Sequence, residues 1–211
     1  MLINKTIFIT ATDTHVGKTV ATFVLAALLR SKGLRVGIIK PVQCGGHDAQ
    51  FLDAVNPFYA PEPLSPHLAL ARAKIKFDKR RVIADLKQLQ KTNDIVLIEG
   101  AGGLMVPITH QYFNADLIRD LKADVIIVSR LGLGTINHTL LTVNQAKACG
   151  LSIKGILFSD TNPKPKTLPE RTNPLEIQKL SGITVLGIIP YLKQLTQANI
   201  LKQCQKIKLP V

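Results

Sequence analysis

Six short runs of this chain are apolar almost from end to end, and they restrict the architecture more than anything else in it. They are Thr6-Ile7-Phe8-Ile9-Thr10, Arg35-Val36-Gly37-Ile38-Ile39-Lys40, Asp94-Ile95-Val96-Leu97-Ile98-Glu99, Asp124-Val125-Ile126-Ile127-Val128-Ser129, Ser152-Ile153-Lys154-Gly155-Ile156-Leu157-Phe158 and Thr184-Val185-Leu186-Gly187-Ile188-Ile189. A half-exposed strand alternates polar and apolar residues; these do not. Strands buried on both faces belong to a parallel sheet covered by helices on either side. Helical stretches separate the runs, beginning with Val20–Arg30. In such a sheet, ligands gather at the carboxyl ends of the strands.

The first strand runs into Ala11-Thr12-Asp13-Thr14-His15-Val16-Gly17-Lys18-Thr19. Strand, loop and helix are the context that a phosphate-gripping Walker loop requires. Backbone N–H groups and the helix start hold phosphate oxygens, Lys18 neutralises charge, and the Thr19 hydroxyl is placed to ligate Mg²⁺. The spacing departs from G-x-x-x-x-G-K-[ST], which requires glycine where the chain has Thr12. A chance Gly-Lys-Thr at a helix start is the competing reading. The expected fold class is α/β, a single-domain P-loop NTPase-like fold over residues 1–211, with a mostly parallel sheet and helices on both faces.

Other strand ends also deliver chemical groups. The second gives Lys40-Pro41-Val42-Gln43-Cys44-Gly45-Gly46 and then Asp48; the third gives Glu99 and a glycine turn. Mg²⁺ takes hard oxygen ligands, one or two carboxylates with phosphates and water. Thr19, Asp48 and Glu99 fit that demand. Asp48 reads equally as a helix N-cap for Ala49–Leu52, and Glu99 as a polar strand terminus. Lys40 faces the phosphate loop and suits charge stabilisation of a migrating phosphoryl group; the alternative is a snorkelling strand-end lysine. The fifth strand ends in Ser159-Asp160 and the sixth in Pro190-Tyr191. After the fourth strand, Leu131–His138 opens a helix whose amide groups attract carboxylates or phosphates. His138, inside that helix, reads as structural, and Cys44 as a substrate neighbour rather than a nucleophile.

Composition narrows the remaining choices. At 211 residues with 46% hydrophobic and 19% charged side chains, the chain supports one full core. The net charge of +13 is densest over Arg72–Lys91, where eight Lys or Arg face only Asp78 and Asp85. No nucleic-acid signature accompanies them and aromatics are 5% of the chain, so that face reads as a solvated basic surface. Neither a nucleic-acid nor a membrane partner is expected. Three cysteines without C-x-x-C spacing indicate a reducing, cytoplasmic setting. Strand character from Thr6 leaves no room for a signal peptide, and the first helix is too short for a membrane span. Asp160–Pro174, with four prolines, reads as the most flexible segment, and residues 41–66 as loop.

With these residues assembled, the chain resembles the dethiobiotin synthetases from Phe8 to about Leu192. The resemblance rests on the G-T-D-T-x-V-G-K-T loop (here Ala11–Thr19), K-P-V-x-[ST]-G (Lys40–Gly45), E-P-x-S-P-H (Glu62–His67), E-G-A-G-G (Glu99–Gly103) and L-G-T-I-N-H-T-L-L-T (Leu133–Thr142), in that order. That loop carries one residue more between its glycines than the common motif, which accounts for the spacing. The resemblance implies closure of a cyclic urea from 7,8-diaminopelargonate, CO₂ or bicarbonate, and ATP with Mg²⁺. It implies Lys40 and Lys18 as catalytic residues, and Thr19, Asp48 and Glu99 as metal ligands. His15, Val16, Gly17, Lys18, Thr19, Val20, Asp48, Glu99, Gly100, Ala101, Gly102, Ser159, Asp160, Pro190, Tyr191 and Leu192 would line the ATP site. Thr14, Lys40 and Cys44 would meet the diamine, with Gly134, Thr135 and Asn137 reaching its carboxylate across a homodimer interface.

Three departures stand out. Ala11 replaces a family glycine, so its φ must be negative to avoid strain. Cys44 replaces a hydroxyl donor with a weaker one. Ser159 stands where an asparagine commonly reads adenine, which leaves the base preference open. Two rival classes share parts of the pattern. A partitioning-type switch ATPase has the same deviant loop but generally a second early lysine, where this chain has Asp13 and His15. A dinucleotide oxidoreductase needs an acid ending its second strand; Lys40 is there instead.

Overall fold

The computed structural model describes residues 5–209. The signal-peptide reading concerns residues 1–4, which lie outside that range. The described elements run β1 (Lys5–Ala11), α1 (Lys18–Ser31), β2 (Val36–Ile39), β3 (Val42–Cys44), α2 (Asp48–Phe51), β4 (Phe58–Ala60), α3 (Pro66–Arg72) and α4 (Lys79–Thr92). Then follow β5 (Ile95–Glu99), β6 (Pro107–Thr109), β7 (Tyr112–Phe113), α5 (Asn114–Leu121), β8 (Asp124–Arg130) and α6 (Thr135–Ala148). The last four are β9 (Ile153–Ser159), α7 (Leu168–Ser181), β10 (Val185–Ile189) and α8 (Gln197–Gln203).

The six apolar runs form one sheet in the order β10-β9-β8-β1-β5-β2, every pairing parallel. β1 lies between β5 and β8, with Ile9 opposite both Glu99 and Ile126. This order separates two of the readings above. In a dinucleotide-binding sheet the first two strands pair directly; here β5 intervenes between β1 and β2, so the oxidoreductase reading is excluded.

Side-chain alternation divides the buried strand residues between two cores. Ile7, Ile9, Leu97 and Val128 pack with Val24, Leu25 and Leu29 of α1 on one face. Phe8, Val96, Ile98, Ile127 and Phe158 face the other side, against Val82, Leu86, Leu117, Val143 and Ile177 of α4 to α7. Ala21, Leu25 and Leu29, spaced four apart, are fully buried, so a single stripe of α1 seats it on the sheet. Burying each such leucine contributes about 1.5–3 kcal/mol, which fixes where α1 starts and hence where the loop before it ends. No helix among the described residues is long and apolar enough to cross a membrane.

Two segments depart from the sequence reading. Residues 41–66 are not simply loop: β3 and β4 form a two-stranded parallel ladder, and α2 sits between them. β3 is too short to show a period. The second departure lies between 160 and 174, where the irregular stretch stops at Thr167. Thr167 and Glu170 form a capping box, Pro169 occupies the first turn where a missing N–H costs nothing, and α7 continues through a buried Pro174. Proline count alone misplaced that boundary. The lysine-rich tail also has structure: Ile200, Cys204 and Ile207 are buried in the α1-side core.

Candidate active site

Local chemistry builds the phosphate loop. Ala11 is the last residue of β1, and its amide and carbonyl belong to a strand ladder. It is not among the positive-φ residues, so alanine sits there without strain. Gly17 has φ of 93°, and a Cβ on it would come 2.3 Å from Ser159 Oγ. Glycine is required there twice over, by handedness and by space. His15 also adopts positive φ, on an exposed crest shared with Thr14. Val16 is buried beneath it. Lys18 and Thr19 open α1, with Val20 half-buried behind them.

The second and third strand ends meet over this loop. Lys40 is only 5% exposed, and its backbone is pinned on both sides: its N–H donates to Val55 O at 2.8 Å and its carbonyl accepts from Asn56 Nδ2 at 2.6 Å. Its ammonium donates to Asp48 Oδ2 at 2.5 Å and to Glu99 Oε1 at 2.6 Å. Thr19 Oγ1 donates to the same Glu99 oxygen at 2.9 Å. Thus four of the five predicted phosphate-end residues are joined by direct contacts. The fifth, Lys18, donates to the Asp13 carbonyl at 3.3 Å. Burial lowers the Lys18 pKa to about 8; Lys40 adds to that shift, while Glu99, Asp48 and Asp13 oppose it.

Two alternatives from the sequence are now decided. The N-cap of α2 is His47, not Asp48, and the Asp48 carboxylate turns to Lys40 instead. Glu99 is fully buried, not a wet strand terminus, and its Oε2 has no hydrogen-bond partner. A fully buried carboxylate oxygen left unmatched requires an explanation. A cation would satisfy it: Glu99 and Asp48 both touch one ammonium, so their oxygens lie within about 5 Å of each other. Among the described residues no group of three His, Cys, Asp or Glu forms a metal cluster. The donor set of two carboxylates and a threonine hydroxyl therefore fits Mg²⁺, which draws its other ligands from phosphate and water.

The glycine turn after β5 abuts the loop. A Cβ on Gly103 would approach the Ala11 carbonyl at 3.1 Å, and one on Gly100 would strike the Phe8 ring at 2.6 Å. Gly102 takes φ of 66°. Asn114, buried at the start of α5, donates to the carbonyls of Ala101 and Gly103, both at 2.8 Å, and so fixes this turn. Sequence reasoning passed over Asn114 because 11 residues separate it from Gly103 and no motif announces it. Gln43 was quoted in a motif without a role. Buried on β3, it donates to Gly46 O and accepts from Ala49 N, each at 2.8 Å, which staples the turn presenting Asp48.

Cys44 lies half-buried near Lys40. Burial pushes its thiol up to about 11 despite that ammonium, so it remains protonated and unsuited to nucleophilic attack. At the far end, Ser159 is buried against Gly17. The Asp160 N–H donates to Ile189 O at 2.9 Å, joining the ends of β9 and β10, and its carboxylate accepts from Lys166. Pro190 and Leu192 are half-buried there, and Tyr191 is exposed. Gly134, Thr135 and Asn137 make no direct contact with Lys40; they stand at the start of α6, beside Leu133, which is 83% exposed.

Comparison with known proteins decides the family. A family model described as "AAA domain" matches residues 5–199. An ATP-dependent dethiobiotin synthetase from Thermodesulfovibrio yellowstonii is 38% identical, with 92% of this chain and 91% of that protein covered. One from Bacillus subtilis is 35% identical, covering 92% and 90%. The chain belongs to the ATP-dependent dethiobiotin synthetase family. It is accordingly an ATP-dependent ligase of biotin biosynthesis. Dethiobiotin synthetase membership also separates it from its structural neighbours. The septum-site protein MinD with Mg-ADP from Pyrococcus horikoshii has TM-score 0.61 at 16% identity, covering 98% of this chain and 88% of that one. A ParA-family ATPase from Chlorobium tepidum has TM-score 0.59 at 15%, covering 100% and 96%. At those identities the likeness is one of fold, and it establishes the P-loop NTPase-like class.

Proposed function

We propose that this enzyme carboxylates 7,8-diaminopelargonate and closes it to dethiobiotin, using ATP and Mg²⁺ and releasing ADP and phosphate. One amine takes up CO₂ as a carbamate. A carbamate oxygen attacks the γ-phosphorus, the bond to ADP breaks, and a carbamic–phosphoric anhydride forms. The second amine then attacks its carbonyl, expelling phosphate and leaving the cyclic urea.

The physical difficulty is repulsion: an anionic carbamate must approach a polyanionic triphosphate. The observation that carries the proposal is the buried Lys40 ammonium shared by Asp48 and Glu99 beside Thr19 and Lys18. Lys18 and Lys40 offset the charge that spreads over the phosphoryl oxygens in flight. Thr19, Asp48 and Glu99 would hold the metal, which would supply charge neutralisation to the phosphates. Lys40 rests between the two carboxylates that would hold the metal. Gly17 and the loop amides cradle phosphate, while Ser159, Asp160 and Pro190–Leu192 border the base. Thr14 and Cys44 face the diamine.

The enzyme acts as a cytoplasmic homodimer of single-domain subunits in this proposal, with Gly134, Thr135 and Asn137 binding the substrate carboxylate of the partner's site. Supporting this, Leu133 and Leu141 flank or lie on α6 and remain 83% and 60% exposed in the single chain. The test is phosphate release measured with diamine and bicarbonate each omitted in turn. Release requires both. ATP turnover that proceeds without diamine contradicts the proposal and favours the switch-ATPase class.

A further inference from the structure

Behind the phosphate loop lies a cluster of buried hydroxyls, of which only Thr135 has a part in the reaction proposed above. Ser129, the penultimate residue of β8, is fully buried, and so are Thr135 and Thr139 of α6. Ser129 Oγ lies 2.8 Å from Thr135 Oγ1 and 2.8 Å from Thr139 Oγ1. Thr12 Oγ1, on the first residue of the phosphate loop, stands 3.4 Å from the same atom. The backbone reinforces that last approach, since the Thr12 N–H donates to Val128 O at 3.0 Å.

Each hydroxyl has one proton to give, and counting them orders the cluster. Thr135 donates to the Arg130 carbonyl at 2.6 Å, so its oxygen is left to accept from Ser129. With that proton committed, Ser129 accepts from Thr139, and its remaining lone pair faces Thr12. The chain of donors is Thr139 to Ser129 to Thr135 to Arg130 O, with Thr12 joining at Ser129. Hydrogen bonds in such a dry pocket polarise and strengthen one another.

The position of α6 depends on this. Its N-cap is Gly134, which has positive φ and no side chain with which to cap. Consequently the first two turns are tied through Thr135 and Thr139, both on Ser129. We infer that Ser129 is a positioning residue whose hydroxyl couples the phosphate loop to the amino end of α6. Nucleotide in one subunit's loop thereby sets the place where the carboxylate of the partner's substrate binds. The last clause rests on the substrate reading proposed above; the coupling itself does not.

Amide hydrogen exchange at residues 135–138 tests the coupling without any diamine. Adding a non-hydrolysable ATP analogue with Mg²⁺ to the wild-type protein slows exchange there at least about threefold. In Ser129→Ala that slowing disappears, although the analogue still binds. In Thr139→Val, which removes one of the hydroxyls on Ser129 and keeps the shape, it shrinks. Steady-state kinetics supply the second readout: in Ser129→Ala the KM for diamine rises about tenfold, the scale of one lost buried hydrogen bond, while that for ATP rises less than about threefold. Undiminished slowing in Ser129→Ala overturns the inference. So does a parallel rise in both KM values with a lowered melting temperature, which marks a merely structural role. If the slowing behaves as stated but the wild type shows no diamine-dependent turnover, the coupling stands and the substrate reading falls.

Discussion

The two ends of the nucleotide site are built differently. At the phosphate end, β1, β2 and β5 are neighbours in the sheet, and their carboxyl termini deliver Lys18, Thr19, Lys40 and Glu99 into one buried cluster closed by Asp48. At the base end, β9 and β10 finish in an irregular segment. There the Asp160 carboxylate is held by Lys166 and by the Asn162 N–H, both contacts within the segment itself. The lesson is about where geometry is fixed. Charge transfer tolerates little misplacement, so its groups sit on adjacent strands with pinned backbones. The base contacts proposed for Asp160 lie on a loop that other sequences can rebuild at small cost.

Glu99→Gln is the most severe way to test the phosphate end. It keeps the shape but removes half the carboxylate charge from the cation seat. Turnover at saturating ATP and Mg²⁺ falls about 10²–10³-fold, as for loss of a preorganised electrostatic contact. A change below about tenfold removes Glu99 from the centre of the site.

Metal binding gives a second measurement. Lys40 is ion-paired with both carboxylates that would hold a divalent cation, so Lys40→Met removes that competing charge while Asp48 and Glu99 remain. Mn²⁺ titrated into nucleotide-free protein and followed by electron paramagnetic resonance binds the variant at least about tenfold more tightly than the wild type, because the two carboxylates no longer share a competing charge. Equal affinities mean that the carboxylates do not form the seat.

At the base end the expected effect is smallest. Lys166→Ala frees Asp160, yet a partly exposed ion pair contributes at most about 1 kcal/mol. Nucleotide dissociation constants for ATP, GTP and CTP then change by less than about threefold. A shift beyond tenfold in their ranking makes the base end as tightly built as the phosphate end and breaks the contrast.

Legibility in the sequence follows the same division. Lys18, Thr19, Lys40, Asp48 and Glu99 were readable because Lys40 and Glu99 end apolar runs and the others follow the loops after such ends, which parallel strands bring together. The sheet itself was readable for the same reason. What stayed hidden depends on partners distant in sequence. Asn114 holds a turn that begins at Ala101; Ser129 gathers Thr12, Thr135 and Thr139; Asn56 fixes the carbonyl of Lys40. None has a local pattern, because hydrogen bonds across a fold leave no period in the chain. The Asp48 choice also needed coordinates, since an aspartate at the first residue of a short helix serves equally as cap or ligand. The first turns of α7 went unread because Pro169 is harmless in a first turn and burial offsets the loss at Pro174.

Lys40 is the group on which the whole account turns. Single-turnover phosphate release and nucleotide binding, measured side by side in Lys40→Ala with diamine and bicarbonate present, test it most directly. The predicted result is ATP affinity within about threefold of wild type and phosphate release slowed at least about a hundredfold. Release at the wild-type rate, or a loss of nucleotide affinity as large as the loss of rate, contradicts it.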